Sequence, residues 1–225
     1  MRKVQKDTLK ANHLMLKNVK PITNTQETVF ASENHMLLHG VAGSGKTYVA
    51  LYLAMISIKA GEHDKVVIIR SAVPTRDMGF LPGNDKDKAQ VYEAPYSEIL
   101  ADLFERGDAY SILKSKGEVE FKTTSFIRGI TIRDSVVIVD EIQNMSFQEL
   151  DSIITRIGPN CRVILCGDYN QADLPGTGVL KFMSIIRHME SFDFIEFTTD
   201  DIVRSGLVKE YILAKVKNNE SNSKQ

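Results

Sequence analysis

The sequence predicts an α/β fold of three layers, in which a mainly parallel central sheet of about five strands is flanked by helices. Short, continuous runs of β-branched and aliphatic residues recur along the chain, as they do in strands that are buried on both faces. Segments with helical spacing lie between these runs, and this alternation is the order that produces a parallel sheet. With 225 residues and 43% hydrophobic content, the chain is large enough for one domain with its own core.

Individual strands and helices can be placed from these patterns. Besides five other strands, a strand at 121–127 is expected in the part of the chain with the weakest pattern. Residues 84–88 are expected to be a charged connector. One helix is marked by a capping box from Ser146 to Glu149. The predicted strands are 36–38, 66–70, 136–139, 163–166 and 194–197, and the predicted helices are 47–60, 96–104, 147–157, 179–189 and 206–216.

Composition and charge divide the chain into three parts. Residues 1–20 carry six basic side chains against one acidic side chain, so they are expected to form a basic arm or helix that is either solvated or in contact with nucleic-acid phosphate. Residues 21–217 are expected to form a single domain, and the polar segment 218–225 is expected to be a disordered tail. A formal net charge of −1 is not evidence for a nucleic-acid or membrane partner. Because no apolar run reaches the roughly 20 residues of a membrane span, we expect a cytoplasmic protein.

The most specific motif follows the first predicted strand and reads GVAGSGKT, which fits the phosphate-loop pattern G-x-x-x-x-G-K-[ST]. Its glycines allow the backbone N–H groups to form a nest for an anion, and the following helix turns its positive end toward the same place. Lys46 is expected to reach the β- and γ-phosphates, and Thr47 is expected to offer its hydroxyl to Mg²⁺. We therefore predict nucleotide binding by Gly40, Ala42, Gly43, Ser44, Gly45, Lys46, Thr47 and the adjacent Tyr48.

Polar residues follow two other predicted strands at the same edge of the sheet. Asp140 and Glu141 come directly after 136–139, and Asp168 and Gln171 follow 163–166. Asp140 is expected to hold Mg²⁺ through a water ligand, and Glu141 is expected to polarise the water that attacks the γ-phosphate. Gln171 is expected to sense the γ-phosphate or to orient that water. The role of Asp168 is left open, because the run Gly-Asp-Tyr-Asn at 167–170 is also ordinary turn composition.

Gln26 has two interpretations that the sequence does not separate. Its spacing from Thr23 is that of a capping box, in which it would only close a helix end. A glutamine upstream of a phosphate loop can also read the adenine edge, because its amide matches the N6 donor and the N7 acceptor.

A cation is also expected at the site, because phosphoryl transfer develops negative charge in its transition state. The candidates are Arg70, Arg128 and Arg204. Arg204 lies past the last predicted strand, where it either faces the active site of a neighbouring subunit or forms a surface salt bridge with Asp200 or Asp201.

Six short motifs occur along the chain: GVAGSGKT at 40–47, FLPG at 80–83, FIRG at 126–129, VDEIQN at 139–144, TRIG at 155–158 and GD-x-x-Q at 167–171. Taken together, their order and spacing resemble those of the PhoH-like family over about residues 20–215. The resemblance implies a RecA-like ATPase core that is related to one half of a superfamily 1 helicase. It implies that Lys46 and Thr47 are Walker A residues, that Asp140, Glu141 and Gln143 belong to the Walker B and DExQ motifs, and that Gln171 belongs to the third helicase motif. Gln26 falls where that superfamily has its adenine-reading glutamine.

Two features depart from the family pattern. The family usually has Arg-Pro after the second strand, whereas here Arg70 is followed by Ser71. Larger members also carry a nuclease or RNA-binding domain, for which a chain of 225 residues has no room. The chain therefore resembles the short, stand-alone form that is often found in phages.

The expected function is Mg²⁺-dependent binding and hydrolysis of ATP, coupled to RNA or single-stranded DNA. A single core cannot close a nucleotide between two lobes, so we expect a homo-oligomer, such as a ring, in which Arg204 completes the neighbour's site. Two alternatives use the same phosphate loop. One is a nucleotide or small-molecule kinase, which would transfer phosphate to an acceptor. The other is a non-catalytic interaction module that responds to bound nucleotide.

Overall fold

The structure is a computed structural model that describes residues 14–71, 85–168 and 178–222. Helices and strands alternate along the described residues, with three short 3₁₀ helices in the connections. The strands are β1 (His35–Gly40), β2 (Lys65–Arg70), β3 (Val119–Thr123), β4 (Ser135–Asp140), β5 (Cys161–Gly167) and β6 (Phe192–Phe197). The helices are α1 (Asn24–Ala31), α2 (Lys46–Ala60), α3 (Asp85–Leu103), α4 (Ala109–Ser115), α5 (Phe147–Ile154), α6 (Val179–Ile186) and α7 (Gly206–Asn222).

All six strands form one sheet in the order β3-β2-β4-β5-β1-β6, and every pairing is parallel. The predicted α/β class is therefore confirmed, with six strands instead of about five. The additional strand is β3, which ends at Thr123, whereas the prediction extended the strand to residue 127. Residues Thr124–Phe126 form a 3₁₀ helix instead. The pattern is weak there because β3 lies at the edge of the sheet, where Glu120 and Lys122 are only partly buried.

The sheet separates two hydrophobic clusters, because successive side chains of a strand point to opposite faces. On β1, Met36 and Leu38 belong to one cluster, and Leu37 belongs to the other. Helices α2, α3 and α4 cover the first face, and helices α5 and α6 cover the second. This arrangement gives the three predicted layers. It also places the carboxyl ends of all these strands at one edge, where the phosphate loop, Asp140 and Glu141 lie.

Several helix boundaries differ from the prediction. Helix α3 begins at Asp85, so residues 85–88 of the expected charged connector are helical, and the helix includes Pro95 in its interior. The capping box at Ser146 and Glu149 is confirmed, but α5 ends at Ile154 and α6 at Ile186. Helix α7 continues to Asn222, so the tail that was expected to be disordered is helical up to that residue. Helix elongation adds one hydrogen bond per residue and needs no apolar face, which is why polarity alone misplaced this boundary.

The segment before α1 lies against the domain. Leu14 is buried, the backbone N–H of Lys17 donates to the carbonyl oxygen of Leu103 at 2.9 Å, and the N–H of Val19 donates to the Tyr52 hydroxyl at 3.0 Å. Residues 14–20 therefore form neither a helix nor a detached arm, and residues 1–13 lie outside the described residues. Among the helices that the structure describes, none is both long enough and apolar enough to span a membrane.

Candidate active site

The loop between β1 and α2 adopts a conformation that depends on glycine. Gly43 and Gly45 have φ angles of 76° and 83°, in the left-handed region that other residues rarely adopt. Gly45 is the residue directly before α2, and no side chain caps the first N–H groups of the helix. These N–H groups and the positive end of the helix form a site for an anion at the carboxyl edge of the sheet.

Lys46 is the first residue of α2, and its side chain turns back over the loop. Its ammonium group donates to the carbonyl oxygens of Gly40 at 2.8 Å and Val41 at 2.7 Å, and to the hydroxyl of Ser44 at 3.2 Å. Burial lowers the pKa of Lys46, and the nearby carboxylate of Asp168 acts in the opposite direction. The three acceptors are neutral, so an anionic phosphate oxygen would bind this ammonium more strongly than they do.

Asp140 ends β4 beside the phosphate loop and is buried. Its Oδ1 accepts a hydrogen bond from the Thr47 hydroxyl at 2.9 Å, and its Oδ2 accepts one from the Tyr96 hydroxyl at 3.0 Å. Burial raises the pKa of Asp140 to about 6, and the adjacent charge of Glu141 acts in the same direction. A carboxylate and a hydroxyl that are this close are hard oxygen ligands of the kind that Mg²⁺ prefers, so the residues present fit this ion.

Glu141 has a left-handed backbone, with φ of 56° and ψ of 44°, a conformation that is uncommon for residues other than glycine. Its carboxylate accepts a hydrogen bond from the side-chain amide of Gln143. The oxygen of the same amide accepts from the backbone N–H of Asp168 at 3.1 Å. Gln143 therefore joins the end of β4 to the end of β5 and holds Glu141 at the cavity. An uncommon backbone conformation of this kind is often retained at functional sites.

Gln26 combines parts of its two predicted roles. Its backbone N–H donates to the Thr23 hydroxyl at 3.2 Å, which is one half of a capping box. Its side-chain oxygen accepts from the N–H of Ile22 at 3.0 Å, and its amide nitrogen donates to the carbonyl oxygen of Ser44 at 3.4 Å. The side chain is buried and borders the cavity, so it joins α1 to the phosphate loop. No contact within the described residues tests base reading by Gln26, which stays the alternative to a purely structural link.

The arginine candidates lie in different places. Arg70 and Arg204 border the cavity, whereas Arg128 is not among its described lining residues. The N–H of Val203 donates to the carbonyl oxygen of Gly43 at 3.1 Å, and a Cβ atom added at Gly43 would lie 2.9 Å from Cγ of Arg204. Arg204 therefore packs on the phosphate loop of its own chain. Within the described residues no ion pair joins it to Asp200 or Asp201.

One cavity of about 860 Å³ brings most of the predicted residues together. Gly40 and Ser44 belong to the loop but do not line the cavity. Gln171 and the motif at 80–83 lie outside the described residues. The predicted residues that do line the cavity are Gln26, Ala42, Gly43, Gly45, Lys46, Thr47, Tyr48, Arg70, Asp140, Glu141, Gln143, Asp168 and Arg204.

Two walls of this cavity were not predicted from the sequence. One is the segment before α1, which contributes Val19 and Lys20, and the other is α3, which contributes Glu98 and Asp102. Tyr96, which also lies on α3, reaches Asp140 from beneath the cavity. No local motif marks these residues, because they reach the site only through the packing of α3 and the N-terminal segment against α2. The apolar spacing around Tyr96 predicted a helix, but it did not indicate which parts of the chain that helix would pack against.

The chain is similar to known proteins along most of its length. A PhoH-like protein from Bacillus subtilis (strain 168) is 33% identical over 200 residues, and the match covers 86% of this chain and 62% of the relative. Protein PhoH from Escherichia coli (strain K12) is 30% identical over 204 residues, with 88% of this chain and 55% of the relative covered. The chain thus spans about three fifths or less of the length of these relatives.

A solved structure with the same fold is the large terminase of a thermophilic bacteriophage. The two chains superimpose with a TM-score of 0.51 at 14% identity, over 85% of this chain and 50% of the terminase. This likeness agrees with the predicted RecA-like architecture. The family model described as PhoH-like protein matches residues 18–215, which include the phosphate loop, Asp140 and Glu141. The chain therefore belongs to the PhoH-like family.

Proposed function

We propose that the protein is a Mg²⁺-dependent ATPase. The observation that carries this proposal is the convergence of four groups in one cavity: the anion site of the phosphate loop, the ammonium of Lys46, the Thr47–Asp140 oxygen pair, and the carboxylate of Glu141. Membership of the PhoH-like family and the RecA-like fold support the same class of activity. A kinase would share the first three groups, but a carboxylate held at the cavity by Gln143 favours activation of water.

Each group has a distinct part in the proposed hydrolysis. The loop N–H groups, the N-terminus of α2 and Lys46 bind the phosphates. Thr47 and Asp140 would hold Mg²⁺. When bound, this ion would neutralise negative charge on the phosphate oxygens. Glu141 accepts the proton of the attacking water, and the hydrogen bond from Gln143 fixes its orientation. Arg70 and Arg204 are the described arginines that border the cavity and offer positive charge to the transition state.

Phosphate release with Mg²⁺ and ATP tests the proposal directly. We expect Lys46→Ala to abolish both nucleotide binding and turnover, and Glu141→Gln to abolish turnover while nucleotide still binds. Matched controls are Lys65→Ala and Glu120→Gln, because these side chains form an ion pair at 2.9 Å on the surface, outside the cavity. Normal hydrolysis by the Glu141→Gln variant would exclude Glu141 as the base. Nucleotide binding without turnover in the unaltered protein would favour an interaction module.

We also propose that nucleic acid is the partner that the ATPase acts on, because the family resemblance implies a helicase-like core. The test is phosphate release in the presence of RNA, single-stranded DNA or neither. Stimulation by one polymer identifies the partner. Equal rates in all three reactions contradict the coupling while leaving the ATPase proposal intact.

We propose that the protein works as a homo-oligomer but that Arg204 acts on its own chain's site. The second statement is an alternative to the in-trans role predicted from the sequence, and it is supported by the packing of the Arg204 side chain on Gly43. Mixing Lys46→Ala protein with Arg204→Ala protein separates the two roles. If Arg204 acts in cis, the mixture stays inactive, whereas recovered activity would show that a neighbour supplies it. Specific activity measured against protein concentration tests the oligomer itself.

A further inference from the structure

Helix α3 brings a tyrosine hydroxyl to the carboxylate that we assign to the metal. The Tyr96 hydroxyl lies 3.0 Å from Oδ2 of Asp140, and the Thr47 hydroxyl lies 2.9 Å from Oδ1 of the same group. Each carboxylate oxygen therefore has one protein donor. Tyr96 belongs to none of the motifs that define the nucleotide site, and α3 precedes β4 along the chain, with α4 and β3 between them.

The Tyr96 hydroxyl can act only as a donor toward this carboxylate. Tyr96 is fully buried, and burial raises its pKa well above the ordinary value, with the charge of Asp140 acting in the same direction. A neutral donor beside a carboxylate forms a charge-assisted hydrogen bond, which is stronger than one between neutral groups.

The position of the Tyr96 ring is fixed by its surroundings. The ring contacts Phe121 of the edge strand β3, with 5.9 Å between the two centroids. Leu100, one turn later on α3, is also fully buried. The guanidinium of Arg70, at the end of β2, lies close enough to favour ionisation of Asp140, and it stacks over Tyr92 at 5.9 Å from the ring centroid. The hydroxyl is thus held by a rigid part of the fold and not by a surface loop.

We propose that Tyr96 is a positioning residue for the metal site: its hydroxyl holds Oδ2 of Asp140, so that Oδ1 stays beside the Thr47 hydroxyl for the cation. This inference rests on the proposed function, since it concerns the Mg²⁺ that the ATPase would use. Hydrogen bonds from outside the ligand set fix the orientation of metal-binding side chains, and their loss typically weakens metal affinity by about 10- to 100-fold.

The substitution Tyr96→Phe removes the hydroxyl and keeps the buried ring. Tyr110→Phe is a matched control, because Tyr110 on α4 is also buried and its hydroxyl donates to Glu93 at 2.7 Å, outside the cavity. Mn²⁺ is titrated into ADP-saturated protein, and the free ion is followed by electron paramagnetic resonance. Nucleotide affinity is measured separately in EDTA. Circular dichroism and thermal unfolding confirm that both variants are folded.

We expect Tyr96→Phe to weaken Mn²⁺ affinity by about tenfold or more. Its nucleotide affinity in EDTA should stay within about twofold of that of the unaltered protein. Tyr110→Phe should change neither affinity. Equal Mn²⁺ affinities for the two tyrosine variants would overturn the inference. An equal loss of nucleotide affinity in EDTA would also overturn it, because the residue would then only support the fold of the pocket. Asp140→Asn distinguishes the two proposals. If the Asp140→Asn variant binds Mn²⁺ as tightly as the unaltered protein, the assignment of Asp140 to the metal is wrong. If Asp140→Asn weakens Mn²⁺ binding and Tyr96→Phe does not, only the role of Tyr96 is refuted.

Discussion

Asp140 is expected to reduce the stability of the metal-free protein at neutral pH. The carboxyl group is fully buried, and its pKa rises from an ordinary value of 3.8 to about 6. Because the folded state binds this proton more tightly than the unfolded chain does, the free energy of unfolding falls as the pH rises from about 4 to 6. The loss is complete above the folded pKa. A shift of about two units, at roughly 1.4 kcal/mol per unit, corresponds to about 3 kcal/mol at pH 7.5.

Substitution of Asp140 by Asn removes this penalty without changing the shape of the side chain. The carbamoyl oxygen can accept from the Tyr96 hydroxyl, and its NH₂ group can donate to the hydroxyl of Thr47. We therefore expect Asp140→Asn to raise the free energy of unfolding by up to roughly 3 kcal/mol at pH 7.5, and by only about 1 kcal/mol at pH 4.5. The gain in stability accompanies the loss of metal binding, as is common for charged groups in active sites.

Urea unfolding in EDTA, followed by circular dichroism between pH 4.5 and 8, measures these differences. Asp102→Asn is a control of opposite sign, since the hydrogen bond from Lys17 lowers the pKa of Asp102. Its substitution should cost a little stability at neutral pH, and the effect should be small because the side chain is exposed. An Asp140→Asn variant that is less stable than the unaltered protein at pH 7.5 would refute the reasoning. A stability difference that does not change with pH would refute it equally.

Two other substitutions test the loop and its support. Gly40→Ala should lower the free energy of unfolding by roughly 3–5 kcal/mol, because the new Cβ atom would lie 1.9 Å from the backbone oxygen of Phe197 at a φ of 116°. Gly61→Ala is its control, since that glycine has a φ of 75° but open space around it, and only about 1–2 kcal/mol of backbone strain is expected. Chemical denaturation measures both, and equal losses would contradict the clash. Gln26→Ala should weaken ATP and GTP binding by similar factors, because both ends of its amide bind protein groups. Fluorescent-nucleotide titration checks this, and a loss confined to ATP would show that Gln26 reads adenine.

The positions of the phosphate loop, Asp140 and Glu141 were largely predictable because their motifs are local. The phosphate loop sets its own backbone conformation with Gly43 and Gly45, so its anion site follows from eight consecutive residues. The strand before Asp140 and Glu141 is a continuous apolar run, and its end therefore marks the edge of a parallel sheet. The alternation of strands and helices was enough to predict that these residues meet at one edge of the sheet, but it did not predict the cavity walls that come from the N-terminal segment and α3.

The predictions that failed involve residues whose structure depends on distant parts of the chain. The edge strand β3 was misplaced because a strand with one paired neighbour and partly exposed side chains lacks a continuous apolar pattern. The start of α3 was missed because its first turns are charged. The in-trans role of Arg204 stays a prediction. The residue lies beside the phosphate loop of its own chain because the turn after β6 folds back on that loop through the hydrogen bond between Val203 and Gly43.

The sequence by itself determined the fold class, the phosphate loop and the acidic pair, since each depends on consecutive residues with a strong conformational preference. Only the tertiary structure placed Tyr96 against Asp140, made Gln26 a link between α1 and the loop, and set Arg204 beside Gly43 of its own chain. The physical reason is that these contacts join residues that are 18 to 161 positions apart. Such contacts are decided by how helices pack on the sheet, which no short pattern of residues encodes.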